Sequence, residues 1–226
     1  MRCLAAFAIV IFTTACRAEK PVATPSLPVV WSINQGLLAP ESAYYDADSG
    51  FLFLSQVGGG GGAAKDGDGW ISKLTIDGKV IENKWVTGFN APKGLRSYQG
   101  TLWVSDIDRI VAVDIAAAKI REVIKVPRAR FLNDLTCGPD GTVYVADMLA
   151  SRIYRYRDKQ LSVFAEGAAI ESPNGLLVHE GQLIVAAWGA GMRDDFTTKA
   201  PGHLLSLDLR DGKRTLITAE IGRAHV

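Results

Sequence analysis

The chain has 226 residues, with 25 Lys and Arg against 24 Asp and Glu, so its formal net charge is +1. A balance this close to neutral excludes a protein that holds nucleic acid by bulk positive charge, because such proteins carry a basic excess. Its three scattered cysteines exclude a disulfide-dense scaffold. After residue 20, no apolar run reaches the roughly 20 residues that a membrane-spanning helix needs.

The first 15 residues predict a signal peptide, because a basic start and a short apolar stretch end in small residues before Cys16. This pattern favours lipidation of Cys16, with simple secretion or a cytoplasmic apolar N-terminus as alternatives. Arg17 favours an outer-membrane destination, so we expect an exported protein, periplasmic or an outer-membrane lipoprotein, that touches the membrane only through its lipid anchor. Residues 16–30 contain three prolines and predict an extended tether.

Between residues 31 and 217 the chain repeats a unit of about 41 residues, each with a polar residue, an apolar strand, a turn ending in Gly and a second apolar strand. Further β-rich runs predict additional strands at Trp70–Ile76, Ile110–Asp114, Arg152–Arg157, Leu161–Ala165 and His203–Asp208. About four strands in a repeat of this length are typical of a β-propeller. We therefore predict an all-β fold with about four blades in residues 31–220.

The last six residues, 221–226, match the translation of a common sequencing-library adapter. We interpret them as an adapter-derived tail, with a natural tail as the alternative. The natural reading frame is then expected to continue from about Glu220 for about two more repeats. The four blades would in that case belong to a six-bladed propeller that is truncated at its C-terminal end.

Five motifs, in this order, resemble the senescence-marker-protein/gluconolactonase (regucalcin-like) family of six-bladed propellers. The motifs are PES-x-x-YD from Pro40, KDGDGWISKL from Lys65, APKGL from Ala91, FLND from Phe131 and SPNGLL from Ser172. The resemblance covers residues 31–217. It implies a hydrolase of a small, sugar-type lactone that depends on a divalent cation.

Four polar residues occupy equivalent positions in the repeats. Lys93, Asn133 and Asn174 follow one another at offsets of 40 and 41, and Glu41 precedes Lys93 by 52 because a glycine-rich insertion intervenes. The first strand of a propeller blade lines the central channel, so we expect these side chains to converge at one mouth of it. Carboxylate and amide oxygens suit a hard cation. The alternatives are that Glu41 and the two Asn serve backbone turns, and that Lys93 extends to solvent.

The family resemblance assigns roles to these residues. It implies that Glu41 in Pro-Glu-Ser and Asn174 in Pro-Asn-Gly bind the divalent cation, with Ca²⁺ expected first and Zn²⁺ or Mn²⁺ as alternatives. Asn133 matches a residue that contacts the substrate, and Lys93, a departure from the pattern, would hold a substrate anion. The Asp that serves as general base would lie in the next blade, beyond Glu220, so this fragment is expected to be inactive.

A second function class stays open, because a propeller fold does not determine function. The alternative is a non-catalytic exported propeller that binds a small ligand or a protein. In either case residues 57–69, which are rich in glycine, predict a flexible loop over the channel mouth that gates access.

Overall fold

The computed structural model describes residues 28–218 of the chain. The chain divides into two units, Met1–Val30 and Trp31–Val226, and all the strands lie in the second. The expected signal peptide, the lipidation site at Cys16, most of the tether and the tail at 221–226 lie outside the described residues. Within residues 28–218, no helix is long and apolar enough to cross a membrane.

Four antiparallel sheets follow one another along the chain, and each is one propeller blade. Blade 1 comprises β1 (Pro40–Asp46), β2 (Phe51–Gln56), β3 (Gly69–Thr75) and β4 (Val80–Phe89). Blade 2 comprises β5 (Pro92–Tyr98), β6 (Thr101–Asp106), β7 (Arg109–Asp114) and β8 (Lys119–Lys125). Blade 3 comprises β9 (Leu132–Cys137), β10 (Val143–Asp147), β11 (Arg152–Arg157) and β12 (Gln160–Glu166).

Blade 4 follows a short 3₁₀ helix at Ala168–Ile170 and carries a small extra hairpin. The blade comprises β13 (Pro173–His179), β14 (Gln182–Ala187), β17 (Leu204–Asp208) and β18 (Arg214–Leu216). The hairpin pairs β15 (Gly189–Ala190) with β16 (Ala200–Pro201) and interrupts the blade between its second and third strands. The prediction of an all-β propeller with four blades is therefore confirmed.

The core lies between successive blades. One buried apolar cluster spans blades 1 and 2, a second spans blades 2 and 3, and a third spans blades 3 and 4. Their fully buried side chains include Phe53, Leu102, Leu135, Ile153 and Leu183. Each such side chain contributes about 1.5–3 kcal/mol by leaving water. The inner strands β1, β5, β9 and β13 contact one another in that order, so the blades fan around a common channel.

A β-bulge recurs at the start of every inner strand. In blade 1, the step from Pro40 to Ala43 on β1 faces the shorter step from Gln56 to Leu54 on β2. The same single extra residue occurs in β5, β9 and β13. A bulge bends its strand and re-aims a side chain. The bulged segments contain the four candidate residues Glu41, Lys93, Asn133 and Asn174.

Two aspartates that are 41 residues apart fasten the loops that lead into the inner strands. The Asp106 carboxylate accepts hydrogen bonds from the backbone N–H groups of Asn90 and Ala91 at 2.9 and 2.7 Å. Asp147 accepts equivalent bonds from residues 130–131, both at 2.9 Å. A buried carboxylate with two backbone donors is satisfied. These aspartates therefore fix the starts of β5 and β9.

Candidate functional site

Each of the four candidate residues is the second residue of an inner strand. Glu41 lies on β1, Lys93 on β5, Asn133 on β9 and Asn174 on β13. Glu41 and Lys93 are close enough that each shifts the pKa of the other. The equivalence read from the repeats therefore holds in the fold, while the ligand roles of these residues stay predictions.

Glu41 presents a carboxylate whose charge the protein disfavours. The side chain is exposed at the start of β1, and among residues 28–218 it has no hydrogen-bond or ion-pair partner. The surrounding protein, which removes part of its hydration, raises the pKa of Glu41 to about 7. Lys93 opposes this rise in pKa, and the negative charge of Asp134 adds to it. A cation at this carboxylate would relieve the destabilised charge.

Lys93 is buried, with 2% of its surface exposed. Its Nζ donates hydrogen bonds to the carbonyl oxygens of Ala91 at 2.9 Å and Gly62 at 2.8 Å, and lies 4.5 Å from the centroid of the Phe131 ring. Burial lowers the pKa of Lys93 to about 8, although Glu41 favours the charged form. The alternative in which Lys93 extends to solvent is therefore wrong. Its ammonium joins the glycine-rich loop to β5, with one N–H left for a ligand.

The two asparagines differ in their surroundings. Asn133 is half-buried, and its backbone carbonyl accepts a hydrogen bond from the Ser105 hydroxyl. Its side-chain amide makes no hydrogen bond within residues 28–218. Asn174 is 5% exposed and interacts with neighbouring groups. Asn133 therefore offers the more accessible amide to a ligand.

Asp134 is a site residue that the sequence analysis missed. It follows Asn133 on β9, is 3% exposed, and accepts a hydrogen bond from the backbone N–H of Leu176 in blade 4 at 2.8 Å. Arg96 of blade 2 lies 3.9 Å away. Burial raises the pKa of Asp134, against the attraction of Arg96. Asp134 thus links three blades and makes the electrostatic field at Glu41 more negative; the FLND motif contained it without indicating this role.

The glycine-rich loop at 57–68 is docked onto blade 2. Besides the bond from Lys93 to Gly62, Lys65 forms an ion pair with Asp108 at 2.6 Å. Within the loop, Asp68 accepts a hydrogen bond from the backbone N–H of Gly59 at 2.8 Å. These bonds hold the loop at the starts of the inner strands, and the gating role stays a prediction.

The hairpin insertion at 188–201 approaches the same end of the blades, and the sequence analysis did not predict it. Trp188 Nε1 donates a hydrogen bond to the carbonyl oxygen of Phe196 at 3.2 Å. The Phe196 ring packs edge-on against Phe131, with centroids 5.2 Å apart, and Arg130 pairs with Asp194. Since Phe131 also lies beside the Lys93 ammonium, loops from blades 1, 3 and 4 meet beside the candidate site.

The donor set agrees in chemistry with a divalent-cation site, although it is incomplete. Glu41 supplies an unpaired carboxylate, and the two Asn amides supply neutral oxygens of the kind that Ca²⁺ binds. Within residues 28–218, no group of three or more His, Cys, Asp or Glu side chains is placed to hold a metal ion. Because Ca²⁺ takes roughly six to eight oxygen ligands, further oxygens must complete any shell.

No family model matches the chain, and no curated protein sequence matches it. Among solved structures, it is similar to a chain of the nidogen/laminin complex, with TM-score 0.62 and 17% identity, covering 83% of this chain and 66% of that one. The extracellular domain of a hybrid two-component system from B. thetaiotaomicron has TM-score 0.56 and 17% identity, covering 80% and 24%. Virginiamycin B lyase from Staphylococcus aureus has TM-score 0.51 and 16% identity, covering 82% and 71%.

These neighbours are β-propeller-like, in agreement with the four blades. The chain spans less than two thirds of the first two neighbouring chains. At identities of 16–17%, the similarity shows the fold alone. What the protein does must therefore be argued from the site.

Proposed function

We propose that the protein is a divalent-metal-dependent hydrolase of a small, sugar-type lactone, similar in activity to gluconolactonases. The observation that carries the proposal is the unpaired carboxylate of Glu41, at the strand position where the other blades present Lys93, Asn133 and Asn174. The resemblance of the five sequence motifs to the gluconolactonase family supports the choice of lactone.

Glu41 has the properties of a cation ligand. It is exposed, and its pKa near 7 means that the protein leaves its negative charge poorly stabilised. An opposite charge at this distance favours the ionised form, so a bound cation would lower the pKa of Glu41. Asn174 would add an amide oxygen from the other end of the blade series. Ca²⁺ is the expected ion, with Zn²⁺ or Mn²⁺ as alternatives.

When bound, such a cation would polarise the lactone carbonyl as a Lewis acid. The residues of this chain would bind and orient the substrate around it. Asn133 has a free amide for the ring oxygens, and the remaining N–H of Lys93 would donate to an anionic oxygen of the substrate. The sequence analysis expects the general-base Asp beyond Glu220, so none of these four residues is given that role.

The proposal places the protein outside the cytoplasm. The signal-like first 15 residues and Cys16 support an exported lipoprotein, in the periplasm or on the outer membrane, with a small lactone as its partner. Mass spectrometry of the mature N-terminus tests this proposal. A chain that begins at lipidated Cys16 is expected, and an unmodified Cys16 within a longer chain would contradict it.

Lactone hydrolysis by the complete gene product tests the activity. With added Ca²⁺, Zn²⁺ or Mn²⁺ and a sugar lactone, we expect acid release, followed by a pH indicator, to depend on the metal. Glu41→Gln should lower kcat/KM by about 100-fold or more, because loss of even an outer-shell partner of a metal ligand costs about 10–100-fold. Glu82→Gln removes an exposed carboxylate on β4 and should leave kcat/KM unchanged.

Two results would contradict the proposal. Equal activity of the wild type and Glu41→Gln would remove Glu41 from the site. No hydrolysis of any lactone by a metal-loaded protein would favour the alternative, a non-catalytic propeller that binds a small ligand or protein.

A further inference from the structure

A cleft separate from the inner strands lies between the outer parts of blades 2 and 3. Its volume is about 370 Å³, within the usual range for small-molecule sites. It is bounded by the end of β8, the loop that follows it, and strands β11 and β12. The residues that define its chemistry are Lys125, Arg128, Arg152, Tyr154, Leu161 and Val163.

The cleft carries uncompensated positive charge. Three of its lining side chains are cations, and Arg152 is already paired with Glu166 at 2.7 Å. Among residues 28–218, Lys125 and Arg128 have no ion-pair partner within 4.0 Å. Two unpaired cations at one cleft attract an anion, and the exposed Glu166 is committed to Arg152.

The wall of the cleft is built and apolar. The Arg152 guanidinium donates a hydrogen bond to the Tyr154 hydroxyl at 3.0 Å, and that hydroxyl donates to the Pro127 carbonyl at 3.3 Å. These bonds fix the Tyr154 ring in place. Leu161 and Val163 of β12 complete the apolar lining, and Val163 is 43% exposed. The cleft therefore combines a cationic rim with an apolar wall.

We propose that this cleft binds a small organic anion with an apolar body, such as a carboxylate or phosphate ester on a short alkyl or aromatic group. The anionic head would lie at Lys125 and Arg128, and the apolar body would pack on Tyr154, Leu161 and Val163. An inorganic anion would leave the apolar wall uncovered, and a neutral apolar molecule would leave the two cations unpaired. The proposal concerns residues outside the candidate lactone site and is independent of it.

Isothermal titration with octanoate, octyl phosphate, 1-octanol and inorganic phosphate tests the proposal on the full chain. We expect octanoate and octyl phosphate to bind with a Kd of roughly millimolar or below, as the size of these ligands permits. Lys125→Ala with Arg128→Ala should weaken both by about fivefold or more, the effect of losing two partly exposed charge pairs. 1-Octanol and inorganic phosphate should bind at least fivefold more weakly than the two amphipathic anions.

A matched double variant, Lys79→Ala with Lys213→Ala, removes two exposed positive charges elsewhere and should bind octanoate as the wild type does. Circular dichroism establishes that both double variants are folded. Equal binding by the two double variants would overturn the proposal, as would undetectable octanoate binding or 1-octanol binding as tightly as octanoate. Retention on anionic phosphatidylglycerol vesicles without binding of free octanoate would assign the charge to a membrane surface instead.

Discussion

The ionisation of Glu41 gives the protein a pH dependence that Glu41→Gln should remove. The native state raises the pKa of Glu41 from 4.5 to about 7, so between these values the native carboxyl keeps a proton that the unfolded chain has released. The native state then binds more protons than the unfolded state. Linkage requires the free energy of unfolding to fall as the pH rises through this window. Glutamine does not titrate, so the variant should lack this fall.

The magnitude follows from the size of the displacement. At about 1.4 kcal/mol for each pH unit, the full effect would be about 3 kcal/mol. Glu41 keeps its contact with solvent, and screening reduces the expected effect to about 1 kcal/mol. Urea unfolding at pH 4.5 and pH 8 measures it, with Glu82→Gln as a control that should follow the wild type. A difference between wild type and Glu41→Gln that is constant with pH, or that changes in the opposite direction, would refute the reasoning.

Three further variants test the surroundings of the site. In the wild type, Lys93 releases its proton near pH 8 when native but near 10.5 when unfolded, so stability rises across that window by about 3 kcal/mol at most; Lys93→Met should abolish the rise in urea unfolding. Gly94→Ala would place a Cβ 2.5 Å from the Asp134 carboxylate, and its cost should be about 2–3 kcal/mol. Gly50→Ala, at a φ of +73° with open space around it, should cost about 1 kcal/mol, and equal losses would contradict the close approach of β5 and β9. Asp147→Ala leaves two backbone donors unpaired and should lower stability by about 2–3 kcal/mol in thermal melts, whereas an unchanged melting temperature would contradict its loop-fastening role.

The fold could be predicted from the sequence because its determinants are local and repeated. The run Arg152–Arg157 coincides with β11, and Trp70–Ile76 differs from β3 by one residue at each end. Period-2 alternation and glycine at the turns define such strands within a few residues of chain. Four copies at near-constant spacing then predict the blades. The same spacing placed the four candidate residues at one position on the inner strands.

The electrostatics of the site could not be predicted, because they depend on contacts between blades. Asp134 affects Glu41 across two blade boundaries, and its bond to Leu176 joins residues that are 42 positions apart. The burial of Lys93 depends on Gly62, which reaches it from the insertion in blade 1. The hairpin at 188–201 interrupts the repeat, so the period contains no information about it. Sequence spacing indicates which residues are equivalent and does not indicate which are buried or paired.

Calorimetric titration of Ca²⁺ into the wild type, Glu41→Gln and Asn133→Ala tests the central claim that Glu41 is a cation ligand. Glu41 supplies the charged oxygen and Asn133 a neutral one, so Glu41→Gln should weaken Ca²⁺ binding far more than Asn133→Ala. In the wild type, Ca²⁺ should also lower the pKa of Glu41 from about 7. Equal uptake of Ca²⁺ by the wild type and Glu41→Gln would contradict the assignment and leave the ligand-binding propeller as the better account.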